Sequence, residues 1–317
     1  FLNFLTERGF YVATRSRANY AHTVLSLASA LNLRYLDEDA RRIGLDTQDR
    51  APMAELIANN EVLGFLKQHG YGIVAFPTDY AFSDLAEADV HLGGSVRRSS
   101  DLELGLLLMT PVPWLVLEDS RFRAQAGHVA HIRYILDHLA DTAELESPRF
   151  VFAHIVAPHP PFVLDAEGNE ITPKQGYSLG DGSYFRAEGG TYEEYVAGYT
   201  DQLTFITRRI EAILDELLAQ TSRPTVIILQ ADHGPGSRLD WASLEGSDLR
   251  ERLSILNAYL LPGEEPTGLY PEITPVNSFR LVLNRYFGTE LELLEDRSYF
   301  STWERPYRFI DVTDRVD

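Results

Sequence analysis

Unbroken apolar runs alternate along this chain with amphipathic ones. FVFAHIVAP and PTVIILQAD are nearly all hydrophobic, the pattern of strands buried on both faces. These and shorter runs predict strands over residues 10–13, 71–76, 150–156, 225–230 and 255–261. Helices are predicted between them, over 22–32, 52–69, 129–139, 192–219 and 276–287. The longest carries Tyr195, Tyr199, Leu203, Ile206, Ile210, Ile213 and Leu217 at spacings of three and four, a stripe that would face a core. Alternation of the two element types predicts an α/β fold with a largely parallel sheet.

Residues 164–190 break the pattern, being rich in Gly, Asp and Glu with little periodicity. They read as a long surface loop of the kind that shapes substrate sites. DAEGNE within it lacks the ligand alternation of a calcium loop and reads as a turn. The opening FLNFLTERGF sets Phe1, Leu2, Phe4 and Leu5 on one face of a short helix, with Gly9 suited to its end. It reads as the middle of a longer protein whose first strand, with any localisation signal, is missing. No run reaches the roughly 18 apolar residues that span a bilayer. With no repeat or linker, residues 1–317 are expected to form one domain.

Composition narrows the chemistry. The chain has 47 acidic against 28 basic residues, a net charge of −19. Sequence-independent nucleic-acid binding and polybasic attachment to anionic lipid are therefore excluded as first readings. It has no cysteine, so no disulfide, Cys zinc site, iron–sulfur cluster or Cys nucleophile.

Three places could carry chemistry. ADHG, directly after the late apolar strand, puts Asp232 and His233 side by side where ligands bind in parallel α/β sheets, a carboxylate–imidazole pair suited to a divalent cation. A plain Asp–His hydrogen bond in a solvated loop is the alternative. His159, in HPPF after the middle strand, could contact an oxyanion or protonate a leaving group, whereas His154 within that strand reads as a buried structural histidine. Thr23 in HTVLSLAS falls at a helix N-terminus, where free N–H groups favour an anion. There its hydroxyl could act as a nucleophile or as an N-cap. Ser16, Ser26 and Ser29 lie nearby as alternative nucleophiles. His128 and His131 read as a solvated helix end.

In this order and strand context the motifs resemble the alkaline phosphatase superfamily, in its sulfatase-like branch of lipoteichoic acid synthases and phosphoethanolamine transferases. GFYVATRSRANY and GYTDQLTFITRRIEAIL extend the resemblance over most of the chain. It implies a three-layer α/β/α sandwich and a metal-dependent phosphotransferase or phosphoesterase. Thr23 would be nucleophile and metal ligand, Asp232 and His233 would hold the same cation, and His159 would bind the transferred group or assist the leaving group. One divalent ion (zinc, manganese, magnesium or calcium) is implied, with a phosphate ester or a phosphoglycerol or phosphoethanolamine lipid headgroup as substrate. An extracytoplasmic location follows, with membrane attachment through a missing N-terminal segment. The family's first acidic ligand ends an opening strand ahead of Phe1 and is absent here. It is expected on the removed segment, the alternative being a non-catalytic binding domain. True sulfatases carry Cys or Ser in C/S-x-P-x-R. Thr23–Leu27 has neither the Pro nor the Arg, which disfavours sulfate-ester hydrolysis relative to phosphoryl transfer.

Overall fold

The computed structural model describes residues 1–78, 80–93, 112–174, 176–263 and 268–316, with backbone alone over 112–123. Its opening elements are α1 (Leu2–Glu7), β1 (Tyr11–Val12), α2 (Thr23–Leu31), α3 (Asp37–Ile43), α4 (Ala51–Ala58) and α5 (Glu61–Gln68). The middle holds β2 (Gly72–Ala75), β3 (Val90–His91), α6 (Val112–His138), β4 (Arg149–Phe152), α7 (Ser183–Ala187) and α8 (Tyr192–Gln220). Then come β5 (Ile227–Gln230), α9 (Leu249–Leu253), β6 (Asn257–Leu260), α10 (Pro275–Phe287), β7 (Tyr299–Phe300) and β8 (Ile310–Asp311).

The strands form a mixed arrangement. In one group β2 lies between β3 and β4, both parallel to it; in another β6 lies between β1 and β5, antiparallel to each. One helical layer packs Val24, Leu25, Ala28, Met53, Ile57, Val62 and Leu63 against Ile73 and Ala75 of β2. The other brings Val129, Ile132 and Leu136 of α6 and Ile206, Ile210 and Ile213 of α8 against Ala258 of β6. Helices thus cover both faces, giving a three-layer α/β/α domain.

Each of the five predicted strands and five predicted helical stretches has a counterpart, and the differences have local causes. The stretch 52–69 is two helices rather than one. Asn60 interrupts it in extended backbone (φ −79°, ψ 159°), accepting from Leu63 N at 2.9 Å and donating to Ile57 O at 2.7 Å, so one side chain closes α4 and opens α5. The stripe on α8 is split: Ile206, Ile210 and Ile213 are buried, while Leu203 is 39% exposed beside a groove. His128 is buried against Tyr177 rather than solvated, because α6 begins well ahead of residue 129 and carries this turn into the core. DAEGNE is a turn, with Asp165 accepting from the Glu167 and Asn169 amides.

Both nearly all-apolar strands, β4 and β5, are half-exposed along their whole length. Among the described residues β4 pairs only with β2, and β5 only with β6. Their carboxyl ends, at Phe152 and at Leu229 and Gln230, line one groove of about 820 Å³, which continues along the segments that follow them. Asn60→Ala should lower the unfolding free energy by about 1–2 kcal/mol. Asn60→Asp, keeping only the acceptor, should fall between it and the parent in urea denaturation.

Candidate active site

The groove widens where three chain segments meet. Thr23 is the first residue of α2, with His22 before it in extended backbone (φ −107°, ψ 134°), so the helix opens onto the cavity. Ser26, one turn on, donates to the Asp232 carbonyl at 2.7 Å and ties α2 to the loop after β5. The Thr23 hydroxyl consequently lies 3.0 Å from His233 Nε2. His233 Nδ1 lies 2.9 Å from the Gly234 carbonyl. A carbonyl only accepts, so Nδ1 carries the proton and the Nε2 lone pair faces Thr23.

Asp232 Oδ2 lies 3.3 Å from the same Nε2, yet it is buried without a hydrogen bond. A buried carboxylate oxygen left this way is costly. Burial pushes the Asp232 carboxyl up, but the imidazoles of His233 and His154, the Thr23 hydroxyl and Arg252 together hold it below the ordinary carboxylate range. Burial, then Arg252, lowers His233, keeping the ring neutral. Thr23 Oγ1, Asp232 Oδ2 and His233 Nε2 thus converge as two oxygens and one nitrogen, an orphaned anionic oxygen among them. Asp232 and His233 are usual ligands of a divalent cation and Thr23 adds a hydroxyl; among the described residues no group of three His, Asp or Glu side chains gathers to complete a metal site.

His159 comes from the segment after β4. Its Nδ1 lies 2.5 Å from the Pro160 carbonyl and so carries a proton, while Nε2 lies 3.8 Å from Asp181 Oδ2. The His159 and His233 ring centroids are 6.3 Å apart. His154, expected as a buried structural histidine, is half-buried and lines the groove, with Nδ1 2.7 Å from Ser83 Oγ; desolvation lowers it. Ser16, Ser26 and Ser29 each give their hydroxyl to a backbone carbonyl, of Ile273, Asp232 and Arg34 respectively. Thr23 alone of the four faces the imidazole.

Sequence reading missed the pair that holds these segments together. Arg252, on α9, is 2% exposed and Asp181, from the 164–190 loop, 5%. Nη1 of Arg252 donates to Asp181 Oδ2 at 2.7 Å and to Gly234 O at 3.0 Å, and Nε donates to Ala21 O at 2.9 Å. One guanidinium therefore fixes the chain just before His22–Thr23, just after Asp232–His233, and the carboxylate facing His159. Tyr195 donates to Asp181 Oδ1 at 2.7 Å and accepts from Gly236 N at 2.8 Å. Burial would raise Asp181, but Arg252 first, then the imidazoles and Tyr195, hold it well below the usual carboxylate range. Gly234 permits the close approach: a Cβ there would collide with the Glu251 carbonyl and come within 2.6 Å of that of Ser254. The sequence signal available was an acidic residue in an aperiodic loop, with nothing to mark its partner 71 residues on.

Arg252→Met, which strands a buried carboxylate, should cost about 3–5 kcal/mol, and adding Asp181→Asn should restore part of it. Asp181 binds its proton more weakly folded than unfolded. Its contribution is therefore complete above about pH 4 and lost as pH falls below that. The gap between parent and Asp181→Asn in urea midpoints should narrow on acidification from pH 5 to 3. Gly234→Ala should disturb His233 and abolish the Thr23–His233 contact, read by crystallography or by histidine NMR shifts.

A model of the sulfatase family matches residues 125–276, a span that includes His159, Asp181, Asp232, His233 and Arg252. No curated protein sequence matches the chain. Its fold resembles the C-terminal periplasmic domain of the phosphoethanolamine transferase EptC from Campylobacter jejuni, at 12% identity and TM-score 0.52, covering 92% of this chain and 83% of that one. It also resembles the corresponding EptC domain from Escherichia coli in complex with zinc, at 11% identity and TM-score 0.58, covering 98% and 84%. Residues 125–276, just under half of the chain, carry the sulfatase family's sequence pattern, and the α/β/α fold of the chain is similar to those of the two EptC domains.

Proposed function

We propose that this chain is the catalytic domain of a metal-dependent phosphotransferase that moves a lipid-derived phosphoglycerol or phosphoethanolamine headgroup through Thr23. The observation that carries this reading is the meeting of Thr23 Oγ1, His233 Nε2 and the orphaned Asp232 Oδ2 at the mouth of α2. Thr23, Asp232 and His233 would hold the cation. When bound, it would lower the pKa of the Thr23 hydroxyl and offset charge on the phosphoryl oxygens.

The chain's own residues supply the rest. Thr23 Oγ, its proton released to solvent as the cation binds, attacks phosphorus in line; the P–O bond to the diacylglycerol oxygen breaks, and that oxygen takes a proton from Nε2 of a doubly protonated His159. The N-terminus of α2 faces the developing charge on the equatorial oxygens. In the second displacement the acceptor hydroxyl returns a proton to His159 and attacks, and the bond between phosphorus and Thr23 Oγ breaks. Asp181, 3.8 Å from Nε2, faces the proton in each step. The acidic ligand expected from an opening strand belongs to the same reading. The unpaired edges of β4 and β5 along one groove offer that strand its place, and with it an extracytoplasmic domain tethered by a preceding membrane segment. No helix among the described residues is long and apolar enough to cross a membrane.

Elemental analysis of protein that includes the upstream segment should find about one divalent ion per chain, lost in an Asp232→Ala, His233→Ala double variant. With labelled phosphatidylglycerol and phosphatidylethanolamine as donors, Thr23→Ala should reduce diacylglycerol release at least about 10³-fold. Absence of an ion in both proteins after manganese or zinc addition would leave a binding domain on an enzyme's fold. Turnover of soluble aryl esters alone would favour a phosphodiesterase or sulfatase.

A further inference from the structure

Besides Tyr195, the groove that holds Thr23 is lined by Tyr80, Tyr184 and Tyr199. Tyr184 is exposed, whereas Tyr80 and Tyr199 are half-buried. Among the described residues neither the Tyr80 nor the Tyr199 hydroxyl has a hydrogen-bond partner, yet both side chains are firmly mounted. Tyr80 comes from the segment after β2. Its carbonyl accepts from Thr78 Oγ1 at 3.0 Å, from Ser83 Oγ at 2.9 Å and from Ser83 N at 2.9 Å. Its ring meets that of His154 almost at right angles, with centroids 6.2 Å apart. Tyr199 lies on α8, stacked on Tyr195 with centroids 6.2 Å apart and planes 13° from parallel. Gly198 beside it lets the helix lie against Phe162, whose ring a Cβ there would strike. Polar groups fixed on the wall of a cavity and left unclaimed by the protein are the ones a ligand uses.

We infer that the Tyr80 and Tyr199 hydroxyls donate hydrogen bonds to an oxyanion held at Thr23, the phosphoryl group in transit. That they serve an oxyanion follows from the groove; that this oxyanion is the phosphoryl group rests on the transferase reading above. Position directs them there. Asp232 is the strongest electrostatic neighbour of the Tyr80 hydroxyl and Asp181 that of Tyr199, and Arg252 acts on both. The two phenols therefore lie near the carboxylates beside His233 and His159. The supply of donors points the same way. Asp232 Oδ2 and the Nε2 lone pair of His233 only accept, and Asp181 is already bonded to Arg252 and Tyr195. Burial raises both phenols, Tyr199 to about 12, so each keeps its proton at neutral pH and remains a donor. A phosphoryl group brings the charged acceptors that such donors lack. An apolar ligand would instead strip water from both hydroxyls and give them nothing in return.

The test reads binding, turnover and stability on protein that includes the upstream segment, loaded with manganese or zinc. Orthovanadate, which mimics phosphorus during displacement, is the probe and is followed by calorimetry. Tyr80→Phe and Tyr199→Phe should each weaken its binding about tenfold. Each should also lower kcat for diacylglycerol release about 10- to 100-fold with KM little changed. Since neither hydroxyl bonds to the protein, urea midpoints of both variants should equal the parent's. Tyr184→Phe, whose hydroxyl neighbours Glu304 and Arg50 instead, should match the parent in every reading. Orthovanadate binding that is unchanged in both variants, or absent from the parent, would overturn the inference. So would losses matched by a fall in urea midpoint, or equal losses in Tyr184→Phe. Phenol-dependent orthovanadate binding in a protein that transfers nothing from either lipid would sink the transferase reading and leave the oxyanion site standing.

Discussion

The site depends on one buried ion pair. Arg252 and Asp181 come from a five-residue helix and an aperiodic loop, neither of which could hold a catalytic group in place alone. Between them they reach the chain beside Thr23, the chain beside His233 and the side chain of His159. An ion pair this deep contributes little net stability, because desolvation offsets its attraction. Its effect is geometric, since a guanidinium bonded to two backbone carbonyls and a carboxylate leaves three segments one relative placement. Tyr195 and Gly236 extend the constraint into α8 and the loop after β5, so the longest helix is tied to the same point.

Around that point the protonation states separate in a useful way. Asp232 and Asp181 stay ionised against the cost of burial, while burial keeps His22, His154 and His233 neutral, with His22 lowered to about 3. A neutral imidazole beside an ionised carboxylate is the state in which both can donate electron pairs to a cation. The orphaned oxygen of Asp232 fits the same picture. Such a group persists in a folded protein when something else is meant to satisfy it.

The groove between β4 and β5 belongs to the same design. Strands that are nearly all apolar are normally covered on both faces and paired on both edges. Among the described residues each pairs along one edge alone; Phe150, Ile227 and Ile228 pack against the core, while Phe152, Leu229 and Gln230 at the strand ends line the cavity. Leu203 follows from this: it keeps its place in the helical stripe of α8 but faces the groove and is therefore exposed.

The sequence by itself determined the type and order of the longer elements, because apolar periodicity is a local property of the chain, but left the short α3, β3, α7, α9, β7 and β8 unmarked. It also singled out Thr23, His159, Asp232 and His233 as candidates, each marked by its position at the end of a strand or the start of a helix. It could not show that Asn60 splits a helix, since the apolar spacing runs through the break and only a side chain bonded in both directions reveals it. Nor could it choose Thr23 over three nearby serines, a matter of which hydroxyl a backbone carbonyl has already claimed. Asp181 with Arg252 was illegible for a physical reason. The pair joins residues far apart in the chain, with no shared periodicity or motif. Their partnership exists only once tertiary packing removes water from between them.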